Sequence, residues 1–146
     1  MMGEMIFQVM GAFVAVIWFS VLLETPKKYL IYAGIVGGIG WIVYYLSNHF
    51  TGQVVLANFL AAVAIAVVSH IFARVFKAPV TVFFIAGILP LVPGGLIYNA
   101  AYQFLHGNQS AGGDYLILTL EIAGVLAMAI FIVDTVFQHI RKEKRK

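Results

Sequence analysis

Apolar residues run in five blocks along the chain, Met5 to Leu23, Tyr29 to Leu46, Val54 to Phe72, Val80 to Leu105 and Tyr115 to Phe137. Each holds about 18 residues or more, enough to cross a ~30 Å hydrocarbon core as a helix. The predicted fold is all-α: a polytopic membrane helix bundle of five transmembrane spans, forming one integral membrane domain over residues 1–146. The first block has the length of a signal peptide. It starts at Glu4 without a basic stretch and ends in Val21-Leu22-Leu23-Glu24 without a small-residue cleavage site, so it is expected to stay as a span.

The fourth block is interrupted. Pro90-Leu91-Val92-Pro93-Gly94-Gly95 stands about ten residues from either end, with roughly 15 Å of helix on each side. The break is therefore expected near the bilayer centre. Proline lacks an N–H and its ring clashes with the carbonyl four residues back, so Pro90 and Pro93 are expected to leave the carbonyls of Ala86 and Leu89 without helical partners. Non-helical backbone at this depth is tolerated where it is buried in protein or lines a cavity, and discontinuous helices form midplane substrate sites in secondary transporters. The other reading is a kinked structural helix whose loose carbonyls are met by neighbouring helices.

Charge sets the expected orientation. All nine Lys and Arg residues follow the first, third or fifth block: Lys27 and Lys28, Arg74 and Lys77, then Arg141, Lys142, Lys144, Arg145 and Lys146. Residues 47–53 and 106–114 carry none. The positive-inside rule then puts the N-terminus outside and residues 138–146 inside as a basic cytoplasmic tail. A hairpin turning back at Pro90 to Gly95 would send that tail outside, so the charges favour one broken crossing. The tail is too short to argue for nucleic-acid binding; it serves orientation or attracts anionic lipid.

Composition narrows the function. The chain is 62% hydrophobic and 10% charged, with a mean hydropathy of +0.98, a balance expected of a protein solvated by lipid. It has no cysteine, and its four histidines, His49, His70, His106 and His139, are far apart. No metal site, cofactor or catalytic residue set is expected, and an enzyme is not.

Polar residues inside spans are costly and so informative. Glu121, the deepest carboxylate, is the expected proton-coupling residue or else a structural carboxyl. Asn58, Asn99 and Gln103 are expected to share an outward-facing polar zone with it, as a substrate path or as interhelical hydrogen bonds. A second set, Glu24, His70, Arg74 and Asp134, lies towards the basic ends. His70, Arg74 and Asp134 are read as a structural ion pair or as an inner gate that breaks and re-forms. Gly34 and Gly38 place two small residues on one face of the second span, for close packing or as a hinge.

Read outward, the first half of the broken span points the negative end of its dipole at the midplane; the second points free N–H groups around Gly95 to Ile97. A small zwitterionic substrate suits that gap. Pro90, Pro93, Gly94, Gly95, Tyr98 and Asn99 are the expected substrate-binding residues. The break has no counterpart elsewhere in the chain, so a symmetry mate of the kind transporters carry is expected on another chain or protomer.

Ala78-Pro79-Val80, followed by Ile88-Leu89-Pro90-Leu91-Val92-Pro93-Gly94-Gly95 and Tyr98, resembles the signature of the threonine/serine exporter family in its small-subunit or C-terminal-half form. The Gly-rich second span ending near Trp41 and the basic Arg74 before the proline motif also fit. The resemblance covers nearly the whole chain. It implies export of threonine and serine driven by the proton gradient across a bacterial-type cytoplasmic membrane, and a larger membrane subunit, or self-association, as partner. Some two-component relatives are associated with dicarboxylate export, which makes a dicarboxylate such as succinate the alternative substrate. A non-transporting scaffold subunit is the alternative role.

Overall fold

The computed structural model describes residues 2–143, so Lys144, Arg145 and Lys146 of the basic tail lie outside the described residues. Six α-helices follow one another: α1 (Met2–Leu22), α2 (Leu30–Thr51), α3 (Val54–Phe76), α4 (Thr81–Ile88), α5 (Gly94–Leu105) and α6 (Gln109–Glu143). Short 3-10 turns at Lys27–Tyr29 and Leu89–Leu91 complete the order. There is no strand among the described residues.

The helices outrun the apolar blocks. α2 continues past Leu46 to Thr51, α3 past Phe72 to Phe76, and α6 starts before Tyr115 and runs through residues 138–143, where a tail was expected. A helix stops where its backbone is broken, not where its side chains turn polar. Gly52 ends α2 in the left-handed region at φ 65°, its N–H donating to the Asn48 carbonyl at 2.9 Å. Lys77 ends α3 in the same region at φ 51°, a conformation that costs a non-glycine residue about 1–2 kcal/mol.

α3 is central, packed against α2, α4 and α6, while α1 lies on α2 and α5 on α6. Its inner stripe reads Ala57, Asn58, Ala61, Ala62, Ile65, Ala66, Ser69 and Ala73, almost all small. Lipid tails are as apolar as leucine, so association in a membrane depends on close packing, which small residues permit. The glycines of α2 complete the fit within this chain. A Cβ on Gly34 would lie 2.8 Å from Ile17 of α1, and Cβ atoms on Gly37 and Gly40 would overlap Val16 of α1 and Ile65 of α3. Gly38, expected to pair with Gly34, meets only Val9 at 3.9 Å. The face towards α1 thus carries Gly34, Gly37 and Gly38, with Gly34 and Gly37 the tightest, inside a continuous helix.

An aromatic cluster ties α2, α3 and α4 together near the basic turns: Tyr29 packs edge-on to Phe83 at 5.4 Å and Tyr32 on Phe76 at 4.3 Å. Large apolar side chains such as Phe7, Trp18 and Phe131 face outward. α1, α2, α3 and α6 are each long and apolar enough to cross a membrane, and α4 with α5 makes up to a fifth crossing.

Candidate functional site

α4 and α5 are bent by 41° at the break. A bend of that size deflects the chain without reversing it. Val80, just before α4, lines a groove with Arg141 of α6, whereas Phe104, near the end of α5, packs on Gly112 of α6. Gly112 and Arg141 are roughly 43 Å apart along the helix at about 1.5 Å per residue. The broken pair therefore travels the length of the bundle, as one broken crossing requires.

The backbone at the break is less bare than two prolines suggest. The Leu89 N–H donates to the Ala86 carbonyl, and the Val92 N–H donates to the Leu89 carbonyl at 3.1 Å. Both carbonyls expected to be orphaned are satisfied, because the chain tightens into a 3-10 turn that bonds three residues back instead of four. On the far side the Ile97 N–H takes the Pro93 carbonyl at 3.2 Å, and the Gly95 and Leu96 N–H groups have no backbone acceptor outside the helix. Gly94 and Gly95 are exposed, and a Cβ on either would meet nothing within 4 Å. Pro90 and Pro93 are half-buried.

Tyr98 and Asn99 separate. Asn99 is half-buried on the side of α5 that carries buried Ala100, while Tyr98 is 68% exposed and starts an outward ladder. Tyr98 stacks over Tyr102 at 6.3 Å and Tyr102 over His106 at 4.0 Å. The i, i+4, i+8 spacing of Tyr98, Tyr102 and His106 is the sequence signal for this ladder.

Glu121 is level with the break. The same number of residues leads back along α5 from Phe104 to Gly95 as leads forward along α6 from Gly112 to Glu121, and the two helices are antiparallel neighbours. Glu121 is exposed on α6 and has no hydrogen bond or ion pair among the described residues. No hydrogen bond joins Asn58, Asn99, Gln103 and Glu121 to one another among the described residues. Asn58 is buried on α3 and donates to its own Val54 carbonyl at 2.8 Å. Gln103 is half-buried on α5.

The second set does assemble. His70 Nε2 lies 3.5 Å from Asp134 Oδ1, and Gln138 donates to the other carboxylate oxygen of Asp134. The His70 ring stacks on Phe137 at 4.4 Å, and the Arg74 guanidinium sits over the same ring at 4.8 Å. Asp134 pairs with His70 and not with Arg74, and Glu24, exposed in the α1–α2 turn, takes no part. Two polar features escape a reading by composition. Ser69 is fully buried and its hydroxyl has no partner among the described residues. Gln8 of α1 accepts from Trp41 Nε1 of α2 at 3.2 Å, beside a cleft of about 380 Å³ that also takes in Tyr44 and Asn48.

Residues 8–136 match the family described as "Threonine/Serine exporter, ThrE". A threonine/serine exporter of Corynebacterium glutamicum is 30% identical over 116 residues, which are 80% of this chain and 24% of that protein. The chain thus spans about a quarter of the length of that relative. No solved structure matches it. With a family match over most of its length, on a chain of apolar helices with a mid-span break, this chain belongs to the threonine/serine exporter family.

Proposed function

We propose that the chain is one membrane subunit of a secondary exporter of small polar metabolites, threonine and serine first, coupled to the proton gradient. The observation that carries the reading is the open break at Gly94 and Gly95, level with the exposed carboxylate of Glu121. A charged residue at the centre of a membrane helix costs about 2.5–3.5 kcal/mol. Glu121 is therefore kept for a purpose, and proton coupling beside the substrate is that purpose. The Gly95 and Leu96 N–H groups favour a substrate carboxylate and the preceding half-helix an ammonium. Pro90, Pro93, Gly94 and Gly95 shape the site, with Asn99 and Tyr98 one turn on.

The partner is a larger membrane subunit that covers the open face, in keeping with the C. glutamicum relative, of which the matched 116 residues are only 24%. Self-association is the competing arrangement. The positive-inside rule, applied to five crossings, supports an N-terminus outside and a C-terminus in the cytoplasm of a bacterial-type cell. The His70–Asp134 contact, beside Arg74, then closes the inner end as a gate.

The test is efflux of labelled threonine, serine and succinate from cells making this chain alone or with the large membrane subunit, with and without a proton gradient. Gradient-dependent efflux of threonine or serine only when both chains are present is the expected result. Efflux of succinate alone moves the substrate to the dicarboxylates. No flux of any of the three, with both chains in the membrane, overturns the proposal.

A further inference from the structure

A groove of about 1000 Å³ opens at the end of the bundle that carries the basic residues, between α3, the turn at residues 77–80 and the last turns of α6. Its lining divides by chemistry. Four cations stand on it, Arg74, Lys77, Arg141 and Lys142, against a single carboxylate, Asp134. Asp134 is already engaged by His70 and Gln138, and none of the four cations forms an ion pair among the described residues. Between the cations the wall is apolar, made by Ala73, Ala78, Val80 and Phe137.

Four like charges around one cleft repel one another unless an anion sits among them. Arg74 is held over the face of Phe137, which fixes its plane without occupying its N–H donors. Lys77 is fixed at the end of α3 in left-handed backbone, a position where glycine would be cheaper. A free anion would use only the cations. The apolar wall, at the end of membrane helices, asks for a ligand that carries hydrocarbon as well.

We propose that this groove binds an anionic phospholipid, its phosphate among Arg74, Lys77, Arg141 and Lys142 and an acyl chain against Phe137 and Val80. Basic pockets between membrane helices bind anionic headgroups in this way. The site needs only the membrane fold and stands whether or not the exporter reading does. The competing account is that these cations merely complement the dipoles at the C-terminal ends of α3 and α6 and orient the chain.

Native mass spectrometry of the purified full chain, supplied with equal phosphatidylglycerol and phosphatidylcholine, distinguishes the two. The expected result is retention of phosphatidylglycerol over phosphatidylcholine. Lys77→Gly, which relieves the left-handed backbone and so keeps the fold, should weaken retention about fivefold. The pair Arg141→Gln and Lys142→Gln should weaken it roughly 25-fold. Lys27→Gln with Lys28→Gln removes the same charge from the α1–α2 turn and should leave retention unchanged. Equal retention of both lipids, equal loss from the Lys27 and Lys28 pair, or displacement of the lipid by millimolar inorganic phosphate would each overturn the proposal, the last in favour of a free-anion site.

Discussion

Gly87 of α4 offers the sharpest test of how the broken span is held. A Cβ on Gly87 would lie 2.8 Å from Val36 Cγ1 of α2, whereas ordinary carbon contacts are about 3.5–4.0 Å. The overlap is close to 1 Å, and Val36 is fully buried with no room to yield. Overpacking of this kind costs about 1–3 kcal/mol. Alanine regains about 1 kcal/mol of helix propensity over glycine, so Gly87→Ala should destabilise the fold by roughly 0–2 kcal/mol net. In a Val36→Ala background the offending Cγ1 is gone. The new methyl would then meet Ile65 Cγ2 at 3.4 Å and Val36 Cβ at 3.5 Å, both ordinary contacts. There Gly87→Ala should stabilise by about 1 kcal/mol, a reversal of sign with a coupling of about 1–3 kcal/mol. The propensity gain appears on both arms of this double-mutant cycle and cancels. Reversible unfolding in mixed detergent micelles, followed by far-ultraviolet circular dichroism, measures all four proteins. Additivity within about 0.5 kcal/mol would refute the α2–α4 contact as the clamp on the first half of the span.

Pro93→Ala should restore helix at the break and impair efflux without abolishing membrane insertion; normal efflux by a correctly inserted variant would remove the functional reading of the break. Glu121→Gln should leave insertion intact and weaken the dependence of efflux on the proton gradient, and an unchanged dependence in a gradient titration would return Glu121 to a structural role. Asp134→Asn removes the charge facing His70, a partly exposed pair worth less than about 1 kcal/mol of stability, so a thermal midpoint near wild type with altered efflux is expected. A large fall in the midpoint with normal efflux would mark the pair as structural. Ser69→Ala takes away a buried hydroxyl without a partner, whose desolvation costs about 1–3 kcal/mol, and should raise the thermal midpoint; a fall would mean that the hydroxyl is hydrogen-bonded.

The apolar blocks and the break were legible because a bilayer demands about 20 uninterrupted residues per crossing, and Pro90 to Gly95 interrupts one such run in its middle. What the backbone does at the break was not. The expected loose carbonyls of Ala86 and Leu89 treat the α-helical bond as the only option, whereas a 3-10 turn supplies a donor one residue nearer. Spacing put Gly34 and Gly38 on one face, and both face α1, but it gave no sign that Gly37 makes a tighter contact with α1 or that Gly40 meets α3. The alanine stripe of α3, which lets three helices close on one, was not singled out by the sequence, because alanine is common in apolar spans. His70 and Asp134 depend on the register of α3 against α6, which no local pattern encodes. The same is true in reverse for Asn58 and Glu121, alike as polar residues in spans yet one turned inward and the other outward.

The two halves of the broken span have different neighbours, and that difference bears on what this chain can do by itself. α4 is wedged among α1, α2 and α3 with Phe83, Ala86 and Gly87 buried. α5 rests on α6 and buries only Ala100 fully. The break is thus the joint between an enclosed half-helix and an open one. A Cβ on Gly94 or Gly95 would meet nothing within 4 Å, Tyr98 points outward, and Glu121, at the same level, has no hydrogen bond or ion pair among the described residues. Lipid cannot take the place of the missing side, since it offers no donor to a carboxylate and no acceptor to the Gly95 and Leu96 N–H groups. On the proposed reading, a substrate path through this break takes its other wall from outside the described helices.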